Sequence, residues 1–92
     1  MYSVRTSAKF RQDVKRCKKQ RKNMELFKAI NESLILGKKL PKKNKDHVLV
    51  GNWKGHQECH IGPDWLLIYL ICENKKEIEY VRMGSHAELF GK

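Results

Sequence analysis

The apolar residues of this chain change period at Asp46, and that change limits the possible folds more than any other feature. Before it the spacing is helical. Phe10, Val14 and Cys17 stand at i, i+4 and i+7 in a Lys-, Arg- and Gln-rich stretch from Ala8 to about Lys22. One apolar stripe on a basic surface predicts an amphipathic helix, with Thr6 or Ser7 as its N-cap. Residues 2–5 read as a short opening strand. Asn23 suits the start of a second helix whose stripe is Leu26, Phe27, Ile30 and Leu34, and Gly37 suits its C-terminal cap. With so short a turn between them, the two helices form a hairpin.

After Asp46 the period is two. His47 to Val50 reads as a strand, broken by Gly51 and Gly55. His56 to Ile61 reads as another, with His56, Glu58 and His60 on one face and Gln57, Cys59 and Ile61 on the other. Gly62-Pro63-Asp64 is a turn, Pro63 suiting its first corner. Trp65 to Cys72 is almost continuously apolar, as a central strand buried on both faces would be. Glu73 to Lys76 turns the chain. Glu77 to Met83 alternates again, with Ile78, Tyr80 and Arg82 opposite Glu79, Val81 and Met83. Gly84-Ser85-His86 then leaves the sheet toward a short terminal turn ending at Phe90. The expected fold class is α+β: an N-terminal strand and a basic two-helix hairpin packed on a small antiparallel sheet, one domain over residues 1–92. A chain of 92 residues buries a modest core, so its function is expected on a surface groove.

Charge narrows the choice of partner. Twenty Lys and Arg against ten Asp and Glu give a net charge of +10, a field that gathers polyanions before any specific contact forms. Fifteen of the basic residues and three of the acids lie in residues 1–45, a balance of +12, while residues 46–92 balance at −2 and hold all four histidines. One half suits holding a polyanion; the other carries groups that titrate. The loop Lys38 to Lys45 is either a solvated linker or a phosphate contact. The cysteines at 17, 59 and 72 form no metal or redox motif, and the start of the chain lacks the apolar stretch of a signal peptide. The longest apolar run spans eight residues, against the roughly 20 of a membrane helix. A reduced, cytoplasmic protein with buried or inert thiols and no membrane contact is expected.

RNA cleavage by 2′-hydroxyl attack needs a base for the hydroxyl, an acid for the leaving 5′-oxygen and positive charge near the phosphate. Imidazoles serve either proton transfer, and a tethered nucleophile needs no metal. His60 and Asp64 bracket the Gly-Pro turn, His86 follows a strand end and His47 begins a strand. Arg82 can face a phosphate, and Trp65 and Phe90 can stack on bases. Each also has an ordinary reading: a surface histidine, a turn aspartate, a core tryptophan, a surface arginine, a pinned C-terminus. Zinc is disfavoured, because Cys59 and His60 point to opposite faces of one strand and no second ligand pair is present.

Three blocks carry a resemblance. Asp46-His47-Val48-Leu49-Val50-Gly51-Asn52-Trp53-Lys54-Gly55 is similar to the D-H-x-L-x-G-x-W-K-G stretch of the YafQ-type toxins of the RelE family. Glu58-Cys59-His60-Ile61-Gly62-Pro63-Asp64-Trp65-Leu66-Leu67-Ile68-Tyr69 resembles their H-x-x-P-D-W-x-L-x-Y segment, and Arg82-Met83-Gly84-Ser85-His86-Ala87-Glu88-Leu89-Phe90-Gly91 their R-x-G-(S/T)-H-x-x-L-F ending. The first 45 residues agree only in character. The resemblance implies a RelE-like fold, cleavage of mRNA in the ribosomal A site to a 2′,3′-cyclic phosphate without a metal or other cofactor, and neutralisation by a cognate antitoxin. It implies catalytic or mRNA-contacting roles for His47, His60, Asp64, Trp65, His86 and Phe90, with His86 as acid, His47 or His60 as base and Asp64 as orienter or proton acceptor. Arg82 is expected at a phosphate. An antitoxin should bring an acidic segment to the basic surface, and ribosomal RNA should meet the helices. The alternatives are a non-catalytic RNA-binding or ribosome-associated protein and a DNA-binding regulator. The second is disfavoured by the apolar second helix.

Overall fold

The computed structural model describes residues 1–91. The chain runs β1 (Ser3–Thr6), α1 (Ala8–Lys19), α2 (Met24–Ile35), β2 (His47–Val48), β3 (Gln57–Gly62), β4 (Trp65–Cys72), β5 (Glu77–Gly84) and α3 (His86–Phe90), with 3₁₀ turns at Lys42–Asn44 and Gly51–Trp53. The five strands form one sheet in the order β1-β5-β4-β3-β2. β2 to β5 is an antiparallel meander, as the alternation required. β1, however, pairs parallel with β5, Ser3 opposite Glu77 through Thr6 opposite Tyr80. The sheet is therefore mixed. The helical hairpin is the crossover that carries the chain from β1 back over the sheet, and such a crossover is what a parallel pair needs.

The expected caps are in place. The Ser7 hydroxyl accepts from the Phe10 amide, and the Asn23 side chain accepts from the Glu25 amide. After α2 the chain turns at Gly37 with φ 72°, the left-handed geometry that glycine adopts at least cost. β4 lies at the centre, with Leu66, Leu67, Ile68 and Tyr69 fully buried. Its odd-numbered residues Trp65, Leu67 and Tyr69 join Phe10, Cys17, Ile30 and Leu34 in the core under the helices, while Leu66 and Ile68 meet Leu89 in a smaller core on the other face. Each such aliphatic side chain contributes about 1.5–3 kcal/mol. β4 thus holds both layers together.

Two departures from simple alternation matter for the site. A register shift between Ile68 and Tyr69 leaves Val81 of β5 without a partner, so Met83 rejoins Tyr80 in the helix-facing core instead of lying opposite it. Asp13, on the apolar side of α1 between Phe10 and Cys17, is only 2% exposed. Its carboxylate accepts from Arg82 Nε at 2.7 Å and Nη2 at 3.2 Å, from Arg16 Nη1 at 2.7 Å and from the Met83 amide at 3.0 Å. Arg16 also donates to the Met83 carbonyl at 2.6 Å and pairs with Glu88 of α3 at 3.1 Å. Gly84 makes room for this: a Cβ there would stand 2.5 Å from Arg16 Nη2.

Burial raises the Asp13 pKa, but the two guanidiniums and the Met83 amide outweigh it and hold the carboxyl below its ordinary value. Asp13→Asn leaves Arg82 and Arg16 without their anion, and urea titration should show a loss of about 3 kcal/mol. Because the folded pKa is depressed, the stabilisation from ionised Asp13 is complete above the unfolded value near 3.9 and is lost as pH falls through the lower folded one. The wild type should therefore lose stability steeply below about pH 4, and Asp13→Asn less steeply.

Candidate active site

The histidines meet where β3 and the start of α3 come together on the face of the sheet away from the helical hairpin. Ser85 begins α3 with a capping box: its hydroxyl accepts from the Glu88 amide and Glu88 accepts from the Ser85 amide. His86 is therefore fixed at the first turn. The Gly62-Pro63-Asp64 turn, with Asp64 at φ 47°, aims its carboxylate at the same point. Asp64 Oδ1 accepts from the His86 amide at 2.9 Å and from His86 Nδ1 at 2.7 Å. These two bonds hold the Asp64 carboxyl below its ordinary pKa. An ionised carboxylate can only accept, so Nδ1 carries a proton and Nε2 is the nitrogen that His86 presents outward.

The His60 and His86 rings lie 5.8 Å apart between centroids. Between β2 and His60 sits Glu58, 4% exposed. Its Oε1 is 3.4 Å from His47 Nε2 and 3.7 Å from His60 Nε2. His47 is oriented by its other nitrogen, whose Nδ1 donates to the Lys45 carbonyl at 2.6 Å. Burial lowers the His60 pKa; Glu58 pulls it back up, while Lys45, His86 and His47 lower it further. The net shift is downward, so His60 stays neutral below the pH at which a free imidazole protonates. The loop before β2 is no loose linker here: buried Asn44 donates to the His60 carbonyl at 2.7 Å, and Asp46 accepts from the buried Tyr69 hydroxyl at 2.5 Å.

Of the residues singled out from the sequence, His47, His60, Asp64 and His86 converge on this patch, and the Phe90 ring lies 6.4 Å from that of His86. Two do not take part as expected. Trp65 is 3% exposed in the core beneath the helices, because it opens a strand buried on both faces, and no base can stack on it. Arg82 is committed to Asp13, so its guanidinium is already neutralised on the helix side of the sheet. The cations whose charge reaches the site are Lys45, which lowers His60, and Lys22, which lowers Asp64. Glu58 was visible only as a strand neighbour of His60. A carboxylate at i−2 of a candidate histidine, on the same face, was the signal for it.

Glu58, His60 and His86 also offer one ligand atom each within 4.8 Å of one another, enough for three positions of a transition-metal ion. Cys59 takes no part. It is buried on the opposite face, where burial pushes its thiol well above the ordinary range. Cys17 is buried too, but Cys72 is exposed, so the thiols are not uniformly hidden.

A basic helical hairpin backs a mixed sheet, with imidazoles and a carboxylate gathered on the sheet's other face, and proteins of similar sequence and fold are small endoribonuclease toxins of RelE-like fold. The family described as bacterial toxin of type II toxin-antitoxin system, YafQ, matches residues 2–91, and the chain belongs to it. The mRNA interferase toxin YafQ of Escherichia coli strain K12 is 39% identical over 89 residues, covering 96% of this chain and 95% of its own length. YafQ in the Escherichia coli DinJ–YafQ complex is 38% identical with a TM-score of 0.90, covering 99% of this chain and all (100%) of that one. A metal-bound toxin from Helicobacter pylori is 39% identical with a TM-score of 0.91, covering 98% and 100%.

Replacing Glu58 with Gln removes the charge that supports protonated His60. The His60 pKa should then fall further, read from the pH dependence of its ring carbon shifts by NMR. A rise on this substitution is incompatible with the arrangement.

Proposed function

We propose that this toxin cuts mRNA in the ribosomal A site by attack of the 2′-hydroxyl on the neighbouring phosphate. The products are a 2′,3′-cyclic phosphate and a free 5′-hydroxyl. The observation that carries the reading is the Asp64–His86 pair, 2.7 Å between Oδ1 and Nδ1, facing a His60 ring 5.8 Å away from that of His86. Two imidazoles that far apart suit an in-line displacement, one on each side of the phosphorus.

His86 is the acid. Asp64 accepts from its Nδ1 and fixes the ring, so that Nε2–H faces the departing 5′-oxygen and protonates it. His60, desolvated and neutral, takes the 2′-hydroxyl proton. His47 lies on the other side of Glu58 and completes the cluster, and Phe90 meets a base beside the scissile bond. Lys45 supplies positive charge where Arg82 was first expected, and a fixed cation near the phosphoryl oxygens lowers the barrier most in the charged transition state. The exposed basic side chains of α1 and of residues 38–43 lie outside this cluster and suit ribosomal RNA. The partner of the YafQ relative, DinJ, supports a cognate antitoxin here, and an acidic segment fits the +10 charge.

No step of this mechanism uses a metal. An ion held by Glu58, His60 and His86 would occupy the nitrogens that move the protons, so zinc or copper is expected to inhibit. No helix among the described residues is long and apolar enough to cross a membrane, which is compatible with action at cytoplasmic ribosomes.

The purified toxin should cleave mRNA on translating ribosomes in EDTA, lose activity on addition of Zn²⁺ and regain it on chelation. His86→Ala should reduce the rate by about 10²- to 10⁴-fold. The rate should rise with pH along a limb lying below 6.5, the ordinary imidazole value, since His60 must be neutral and its pKa is depressed. Ribosome binding without cleavage by the wild type would instead support a non-catalytic RNA-binding protein.

A further inference from the structure

A cleft of about 560 Å³ opens beside His86, and its aromatic wall uses a residue to which the mechanism gives no part. Leu49, Asn52, Trp53, Leu89 and Phe90 line it, with Glu58 and His86 at the catalytic end. Trp53 ends the 3₁₀ turn Gly51–Trp53 between β2 and β3. It is half-buried: its inner part packs against the small core of Leu66, Ile68 and Leu89, and the rest stays accessible.

The geometry points to a nucleobase-holding cleft, in which Trp53 and Phe90 receive the base adjoining the phosphate that His60 and His86 act on. This deepens the nuclease reading and rests on it. The Trp53 ring stands perpendicular to its neighbours, at 89° to Phe90 (centroids 6.2 Å apart) and at 89° to His56 (5.3 Å). Two edge contacts brace the indole and leave no ring stacked on it. The Phe90 ring in turn lies 6.4 Å from His86, so the chain of rings His56, Trp53, Phe90, His86 ends at the proposed acid. A base seated there has its sugar and phosphate within reach of the His86 imidazole.

The occupant follows from chemistry and place. The cleft has no Lys or Arg in its lining to hold a phosphate, is walled mainly by Leu49, Trp53, Leu89 and Phe90, and reaches the proton-transfer groups at its Glu58 and His86 end. A flat heteroaromatic ring tethered to the bound backbone satisfies all three. Exposed Asn52 at the rim has both a donor and an acceptor for a base edge. Trp53 thereby takes the stacking part that the sequence had offered to Trp65. Of the two tryptophans, it is the one that solvent reaches.

The test uses the intact toxin at low salt and two short strands of equal length. One is a 2′-fluoro oligoribonucleotide that cannot be cleaved; the other is an abasic strand with the same phosphates. Wild type should bind the base-bearing strand about 5- to 150-fold more tightly, as one stacked base requires. The Trp53 indole N–H signal, assigned through Trp53→Phe, should move only with that strand. Trp53→Phe should keep the preference. Trp53→Leu, which fills the small core without a stacking face, should abolish it while retaining a cooperative melt. On ribosomes the same variant should raise KM and leave the pH limb of His60 in place. A base preference undiminished in Trp53→Leu overturns the cleft, whatever the cleavage assay gives. A preference lost in Trp53→Leu alongside a wild type that never cleaves leaves the cleft standing and overturns the nuclease mechanism instead.

Discussion

The carboxylate of Asp13 holds the molecule's two halves in register. It comes from the basic helix α1 and is surrounded by Arg82, Arg16 and the Met83 amide at the end of β5. Arg16 then reaches Glu88, which caps α3, so one buried anion indirectly fixes the helix that carries His86. A pair this deep gains its strength from low local dielectric and from several donors on one acceptor, and it repays the cost of burial only because every oxygen is used. Gly84 is the steric condition for it, since any larger residue would push Arg16 away from the Met83 carbonyl.

The division of labour between the two faces of the sheet follows from this arrangement. The helical hairpin buries the larger core and carries much of the positive charge, while among the described residues the opposite face is covered by the short α3 and the segment before β3. That thin cover leaves an open, partly apolar surface. His60 sits there half-buried and His86 exposed, next to the buried carboxylate of Glu58. Desolvation and neighbouring cations keep His60 neutral, and Asp64 keeps the Nδ1 proton on His86. Two imidazoles a few ångströms apart, one held neutral and the other fixed by a carboxylate on its Nδ1, suit acid–base cleavage of a phosphodiester.

Trp65 and Arg82 show where sequence pattern falls short. Both are residue types suited to RNA. Trp65 begins a strand covered on both faces, so its ring is enclosed; Arg82 follows a β-bulge and meets an acid that is 69 residues away in the chain. Local periodicity carries no information about a partner that far off, nor about an unpaired Val81 that shifts the alternation after it. Asp13 gave a faint sign, as an acid on the apolar stripe of a basic helix. Trp53 gave less, because a tryptophan between two glycines reads as a loop residue until Phe90 and His56 are seen around it.

From the sequence alone came the helices and their caps, the central apolar strand, the α+β class, the uneven charge and the set His47, His60, Asp64 and His86. All of these rest on short-range rules: the 3.6- and 2-residue periods, turn chemistry and local motifs. Tertiary structure decided that β1 runs parallel to β5, that Arg82 neutralises Asp13, that Glu58 stands between two histidines, and that Trp53 rather than Trp65 is left accessible. Each of these is a contact between segments distant in the chain, fixed by which faces pack together and how much room the packing leaves.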